Sequence, residues 1–156
     1  MNETMSGNMK ALFFGMFRKN ICRLQIFKNG NISIGVGEKL AHCNVRLRDE
    51  YYGEWEIGSY HSNWIFFDQD RPLYSGGDAK SDLMSVEKNI GLIILGRQIL
   101  DIQTIDNFKV KVIASSGSSF VFNSSDDMDD ESFHIFSPNG FSLGFNSSKG
   151  WMLFDK

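Results

Sequence analysis

The sequence contains few of the residues that define several common protein classes. Its 156 residues include two cysteines, Cys22 and Cys43, which excludes a disulfide framework and favours a reducing compartment. Two prolines and 15 glycines argue against a disordered or fibrous chain. The longest apolar runs, residues 11–17 and 90–95, are far below the ~20 residues that span a bilayer, and the first lacks a signal-peptide cleavage site. We therefore expect a globular cytoplasmic protein without a membrane segment.

The sequence also lacks an excess of positive charge. Residues 1–78 carry 9 Lys+Arg against 9 Asp+Glu, whereas residues 79–156 carry 7 against 10, and the formal net charge is −3. This balance excludes the basic surface of a general nucleic-acid-binding protein, and a partner attracted by it would itself be basic. Most of the acidic excess comes from one run, which consists of Asp126, Asp127, Asp129, Asp130 and Glu131.

Motifs for catalysis, metal binding and cofactor binding are missing as well. The acidic run begins like a calcium loop at Asp127, but Ser132 occupies the sixth position, where glycine is needed, and Pro138 the twelfth, where glutamate is needed. The three histidines are dispersed without metal-ligand spacing, and neither a G-x-S-x-G motif nor a complete phosphate loop occurs. We expect neither an enzyme nor a bound cofactor.

What the sequence does contain is a faint internal repeat at an offset of 78 residues. The match includes two polar pairs, Gln25 with Gln103 and Asn29 with Asn107. Such a period indicates that one supersecondary unit occurs twice, which predicts similar halves over residues 1–78 and 79–156. The apolar matches are Ile21 with Ile99, Leu24 with Ile102, Ile32 with Val110, Ile34 with Val112, Trp55 with Phe133, Ile57 with Ile135 and Phe67 with Phe145.

Each half is expected to contain one helix followed by short antiparallel strands. Helical spacing of apolar residues predicts helices near residues 9–18 and 80–95, and Asn29-Gly30 between alternating runs predicts a β-hairpin. The segment 68–82, rich in Gly, Ser and Asp, is interpreted as a linker. The predicted class is α+β, predominantly antiparallel β, with two similar helix-plus-β-meander halves packed into one domain. The predicted strands are 21–27, 32–36, 40–47, 53–58, 64–67, 99–105, 108–114, 119–122, 133–136, 141–145 and 151–154.

Two stretches carry a resemblance to a protein family. The first runs from Trp64-Ile65-Phe66-Phe67 through Leu73-Tyr74-Ser75-Gly76 to Leu95-Gly96-Arg97-Gln98-Ile99, and the second from Ser132-Phe133-His134-Ile135 through Pro138-Asn139-Gly140 to Trp151. Together they resemble small bacterial immunity proteins of polymorphic and contact-dependent growth inhibition toxins. The shared positions are apolar and turn residues, so no catalytic residue is carried over. The resemblance implies a cytosolic protein that neutralises a toxin domain by stoichiometric binding and occlusion of its active site.

Many toxins of this kind are basic nucleases, so acidic and aromatic residues are the predicted partner contacts. These contacts are the acidic run 126–131 together with Tyr51, Tyr52 and Glu54, and Tyr60 and Trp64 are further candidate anchors. Two alternatives remain open. One is a scaffold module that forms a homodimer through strand edges. The other is an RNA- or ligand-binding domain in which Arg46 and Arg48 lie beside the tyrosines.

Overall fold

A computed structural model describes residues 11, 13–41, 51–106, 108–124, 127 and 129–155. This part of the chain forms eleven β-strands, two α-helices and two 3₁₀ turns, at Phe14–Met16 and Ser115–Gly117. The strands and helices in chain order are β1 (Ile21–Ile26), β2 (Ile32–Ala41), β3 (Tyr51–Ser59), β4 (Trp64–Asp68), β5 (Arg71–Ser75), α1 (Gly76–Ser81), α2 (Leu83–Ile94), β6 (Ile99–Ile105), β7 (Lys109–Ala114), β8 (Ser118–Phe122), β9 (Phe133–Phe136), β10 (Phe141–Asn146) and β11 (Gly150–Asp155).

The strands form two antiparallel sheets. The six-stranded sheet has the order β1-β2-β3-β9-β10-β11, and the five-stranded sheet has the order β5-β4-β8-β7-β6. Each sheet therefore combines strands from both halves of the chain. The predicted class, α+β with mainly antiparallel β, is confirmed. The predicted similarity of the two halves stays a prediction.

Alternating apolar residues place one face of each sheet in a shared core. In β7, Val110, Val112 and Ala114 are buried, whereas the residues between them are half-buried. The sheets meet through aromatic rings, since the Phe122 ring of β8 lies 4.9 Å from the Phe133 ring of β9. Because successive strand residues point to opposite faces, the other face of the six-stranded sheet, here called the outer face, is free to carry polar residues.

Helix α2 begins at a capping aspartate and packs beside the first strand. The Asp82 side chain accepts a hydrogen bond from the Ser85 N–H, and Glu87 accepts one from the backbone N–H of Ile26 in β1 at 2.8 Å. Among the described residues, no helix is long and apolar enough to cross a membrane.

The segment predicted as a linker has regular structure instead. Residues 71–75 form β5, which pairs with β4, and residues 76–81 form α1. A capping box starts α1, because Ser75 accepts from the Asp78 N–H while Asp78 accepts from the Ser75 N–H. The linker interpretation failed because a capping box and a loop use the same residue types.

The two predictions in the first half that concern residues 9–18 and 40–47 fall partly outside the described residues. The 3₁₀ turn Phe14–Met16 lies within the first of them. The separation of strand 32–36 from a strand that begins at residue 40 is wrong, because β2 continues to Ala41 through a register shift between Val36 and Lys39. The other predicted strands are present, and the observed β6 and β9 have the predicted limits.

Candidate functional site

The acidic run forms a turn that leads into β9. Asp127 organises this turn, since its carboxylate accepts from the Asp129 N–H at 2.9 Å and its carbonyl accepts from the Asp130 N–H. The side chains of Asp127, Asp129 and Asp130 are exposed, whereas Asp126 lies outside the described residues. Three of the predicted contact residues are thus accessible to a partner.

Glu131 turns away from this exposed group and onto the sheet. Its Oε1 lies 3.0 Å from Nδ1 of His134, and its Oε2 lies above Gly144 on β10. A Cβ added at Gly144 would stand 2.5 Å from that oxygen, so the glycine provides the space in which the carboxylate lies flat on the sheet. An ionised carboxylate only accepts hydrogen bonds, which assigns the imidazole proton of this contact to Nδ1.

The His134 ring contacts two aromatic rings on the outer face, from which its plane is tilted by 39° and 36°. The ring centroids of Tyr60 and Phe136 each lie 4.6 Å from that of His134. The imidazole is buried, with 7% of its side chain exposed, whereas Tyr60 is 58% exposed and forms the open end of the stack. Burial raises the pKa of the Tyr60 phenol, and the nearby Glu131 charge raises it further. We call Tyr60, Glu131, His134 and Phe136 the ring-stack site.

A hydrogen-bond network holds the loop that carries Tyr60. The Ser59 hydroxyl donates to the Asn63 side-chain oxygen at 2.7 Å and accepts from the His61 N–H at 3.1 Å. The Asn63 amide group donates to the carbonyl of Asn123 and to that of Ser132, the latter at 3.0 Å. The loop after β3 is thereby joined to the segment before β9, so Tyr60 and His134 belong to one rigid unit.

The other predicted contacts lie at the far end of β3. Tyr51 is 53% exposed and Tyr52 is half-buried, but they are separated from Ser59 by most of the strand, roughly 23 Å at ~3.3 Å per residue. Glu54 accepts from the Lys19 ammonium group at 2.6 Å, and this hydrogen bond is the main reason why the pKa of its carboxyl is lowered. Tyr51, Tyr52 and Glu54 therefore do not form one site with the acidic turn, and their role as partner contacts stays a prediction.

A second polar network separates these two ends of the outer face. Glu56 accepts from the Gly53 N–H at 2.7 Å and from the Ser33 hydroxyl at 2.9 Å, and it pairs with Arg23 at 3.3 Å. In the ladder between β3 and β9, Glu56 stands opposite Phe136. The network is internally satisfied, which leaves the ring-stack site as the part of this face with an exposed aromatic ring beside an acidic turn.

Of the two candidate anchors, the structure assigns only Tyr60 to the surface. Trp64 is fully buried in the core and donates from Nε1 to the Gly30 carbonyl at 2.7 Å. His134 and Phe136 are members of the site that no sequence motif identifies. The available signals were the Glu-x-x-His spacing of Glu131 and His134 and the strand glycine Gly144, and neither is specific.

A further surface feature of the described residues is an apolar groove. A shallow apolar groove of about 360 Å³ runs beside α2, lined by Leu24, Met84, Gly91, Leu92 and Leu95 with Glu87 and Lys88. No group of three or more metal-ligating side chains occurs in the described part of the chain. Arg46 and Arg48, which the RNA-binding alternative requires, lie outside it.

Comparison of the chain with protein-family models, with curated proteins and with solved structures found no match.

Proposed function

We propose that the chain is a protein-binding module of the immunity type, which neutralises a cognate bacterial toxin domain in the cytoplasm by stoichiometric binding and occlusion of its active site. The ring-stack site and the acidic turn beside it form the proposed contact surface. The observation that carries the proposal is the position of Tyr60, an exposed ring that lies against His134, whose imidazole contacts the Glu131 carboxylate at the end of the acidic turn.

Tyr60 has the properties of a central anchor residue in a protein–protein interface. Residues that contribute most to protein–protein affinity are commonly Tyr, Trp or Arg near the centre of an interface. Tyr60 loses little conformational freedom on binding, because His134 already packs against one face of its ring and the Ser59–Asn63 hydrogen bond holds its loop. A preorganised aromatic side chain of this kind favours tight binding without any chemistry.

The exposed carboxylates of the acidic turn favour a basic partner. The exposed carboxylates of Asp127, Asp129 and Asp130 create a local negative potential next to the anchor. Such a potential accelerates association with a basic partner and orients it, while contributing less to the final affinity. The burial of His134 between two rings favours a positioning role for the imidazole over proton exchange with a ligand.

The experiment is a parallel capture from a lysate of the source organism with the wild-type chain and matched variants as bait. Tyr60→Ala should weaken affinity for the captured protein by roughly 30-fold or more, as expected for loss of an anchor worth ~2 kcal/mol. Reversal of Asp127, Asp129 and Asp130 to Lys should lower the association rate and its salt dependence. Phe14→Ala removes an exposed ring outside the proposed contact surface, so it is the control and should bind like the wild type.

A toxicity assay then separates immunity from simple binding. The captured protein expressed alone should arrest growth, and co-expression of the wild-type chain should restore it, whereas the Tyr60→Ala chain should restore it poorly. Equal capture by all variants would exclude the ring-stack site as the contact. A captured partner without toxicity would exclude the immunity function.

We also propose that the two halves are divergent copies of one unit, as the repeat at 78 residues predicts. The support comes from backbone hydrogen bonds between residues 18–21 and residues 96–99. When each residue is replaced by its counterpart 78 positions away, one of these hydrogen bonds becomes another. Ile21 N–H donates to the Arg97 carbonyl, and the related pair is Ile99 N–H to Lys19. Asn20 and Gln98 are also counterparts at this offset, and they pair with each other in an isolated β-bridge.

The first hairpins of the halves support the same proposal. Ile21 pairs with Val36 and Ile99 with Ala114, and a register shift follows at the same place in both. Beyond these hairpins, Ile57 and Ile135, which the offset also relates, pair directly with each other. Hydrogen exchange should protect the amides of Ile21 and Ile99 alike, and a large difference between them would contradict the duplication.

A further inference from the structure

The ring stack is open at one end. The Tyr60 ring lies against His134, with the ring centroids 4.6 Å apart and the planes tilted by 39°, and Phe136 contacts His134 at the same centroid distance. Tyr60 is 58% exposed despite its contact with His134. Its second face is therefore available to a planar group of a ligand.

A carboxylate lies next to this open face. Glu131 contacts the same imidazole that Tyr60 stacks on, and its side chain is 35% exposed. The Glu131 charge reaches the phenol, since it is one of the two causes that raise the pKa of Tyr60. An aromatic face and a carboxylate are thus presented to solvent by one rigid unit.

The described residues supply no basic side chain to complete this arrangement. Lysine and arginine form ion pairs with Glu54, Glu56 and Asp68, but in the described part of the chain Glu131 pairs only with His134. Within the described part of the chain, no lysine or arginine pairs with the Glu131 carboxylate, which leaves it open to a cationic group of a ligand.

The geometry favours a guanidinium group over an ammonium group. A guanidinium ion is planar and weakly hydrated, stacks on an aromatic ring, and at the same time donates two parallel hydrogen bonds to a carboxylate. An ammonium ion is compact and strongly hydrated, so it gains less from the ring. We infer that Tyr60 and Glu131 form a binding site for the guanidinium group of an arginine side chain on the protein partner. This inference rests on the proposed function, because it names the partner group that the anchor receives.

The test uses small probes and the intact chain. N-acetyl-arginine-amide, N-acetyl-lysine-amide and N-acetyl-citrulline-amide are titrated while the ring signals of Tyr60 and His134 are followed by NMR. The arginine probe should give saturable shifts and bind roughly 2- to 5-fold more tightly than the lysine probe, the range expected for an exposed cation–π contact. The citrulline probe has the same shape without the charge and should give no saturable shift.

Variants assign the binding to the two side chains. Tyr60→Leu should abolish the arginine shifts at His134, Tyr60→Phe should retain them because the ring remains, and Glu131→Gln should weaken binding several-fold. Phe14→Leu is the control for an exposed aromatic ring elsewhere and should have no effect. Equal binding of arginine and citrulline, no saturable shift with arginine, or unchanged binding in Tyr60→Leu would each overturn the inference.

The outcome is separable from that of the proposed function. A chain that captures its toxin through Tyr60 but gives no arginine-specific shift retains the function and loses the guanidinium site. A chain that binds the arginine probe but neutralises no toxin retains the site and loses the immunity function.

Discussion

At the scale of single residues, His134 connects the parts of the ring-stack site. Its ring separates Tyr60 from Phe136, and its Nδ1 fixes the Glu131 carboxylate. The position of that carboxylate depends in turn on Gly144, whose missing side chain leaves space above β10. A glycine inside a strand usually lowers stability, so this one is explained by the close approach of Glu131.

Gly144→Ala should therefore displace Glu131 from His134. The added Cβ would lie 2.5 Å from Glu131 Oε2, so the end of this flexible side chain should move away and lose its hydrogen bond to His134, which should lower the free energy of unfolding by about 0.5–1.5 kcal/mol. Urea denaturation measures the loss, and the NMR signal of the His134 ring reports the changed contact. An unchanged His134 signal would show that Glu131 avoids the new methyl group without leaving the imidazole.

The Tyr60 phenol gives a second prediction at this scale. Its pKa is raised first by burial and second by the Glu131 charge, so Glu131→Gln should lower the pKa but leave it above the ordinary value of 10.0. Glutamine keeps an oxygen that accepts from the His134 Nδ1–H, which preserves the geometry while removing the charge. Titration of the tyrosine ring carbons by NMR measures the change.

The sign of the associated pH dependence follows from the raised pKa. A phenol with a raised folded-state pKa contributes stability that is fully present below the unfolded pKa and is lost as the pH rises through the folded pKa. The loss of stability should therefore begin at the same alkaline pH in both proteins, but it should be smaller and end at a lower pH in Glu131→Gln than in the wild type. A Tyr60 pKa that stays the same in this variant would contradict the proximity of the two groups.

At the scale of elements, helix α2 contains a glycine that its own packing does not require. Gly91 lies in the middle of the helix, and a Cβ there would meet only the Cδ1 atom of Leu95, at 3.7 Å, which is an ordinary contact. Glycine in a helix interior costs up to ~1 kcal/mol relative to alanine. This residue forms part of the floor of the apolar groove beside α2.

Gly91→Ala should therefore stabilise the protein. The expected increase in the free energy of unfolding is about 0.5–1 kcal/mol, because alanine restricts the unfolded chain and fits the folded one. The same urea experiment that tests Gly144→Ala provides the measurement, and the two glycine variants should change stability in opposite directions. A loss of stability in Gly91→Ala would mean that the added methyl group overlaps with neighbouring residues of the groove, and would contradict the prediction.

Local patterns predicted most of the elements but not how distant elements pair. Alternation within Ile99–Ile105 and Phe133–Phe136 predicted β6 and β9, and Asn29-Gly30 predicted the first hairpin, where Gly30 has a φ of +88°. The ring-stack site could not be predicted, because Tyr60 and His134 become neighbours only when β3 pairs with β9. That pairing joins residues 76 to 80 positions apart in the chain and leaves no trace in local periodicity.

At the scale of the whole molecule, the two halves of the chain share both sheets and are not two separate modules side by side. The six-stranded sheet takes β1, β2 and β3 from the first half and β9, β10 and β11 from the second. The sheets are also joined to each other, since Trp151 Nε1 of β11 donates to the Thr104 hydroxyl of β6 at 3.0 Å. Neither half and neither sheet buries its apolar face without the other.

The chain should accordingly unfold in one cooperative transition. Its three tryptophans test this, because Trp55 reports on the first half in the six-stranded sheet, Trp64 on the first half in the five-stranded sheet and Trp151 on the second half. In each of three variants that retain a single tryptophan, with phenylalanine at the other two positions, the fluorescence midpoint in urea should coincide with the circular dichroism midpoint of that variant. Separation of Trp151 from the other two would mean that the halves unfold independently, whereas separation of Trp64 alone would mean that the sheets do. Coincidence in all three would establish that the outer face rests on a single cooperative core, as a preorganised binding surface requires.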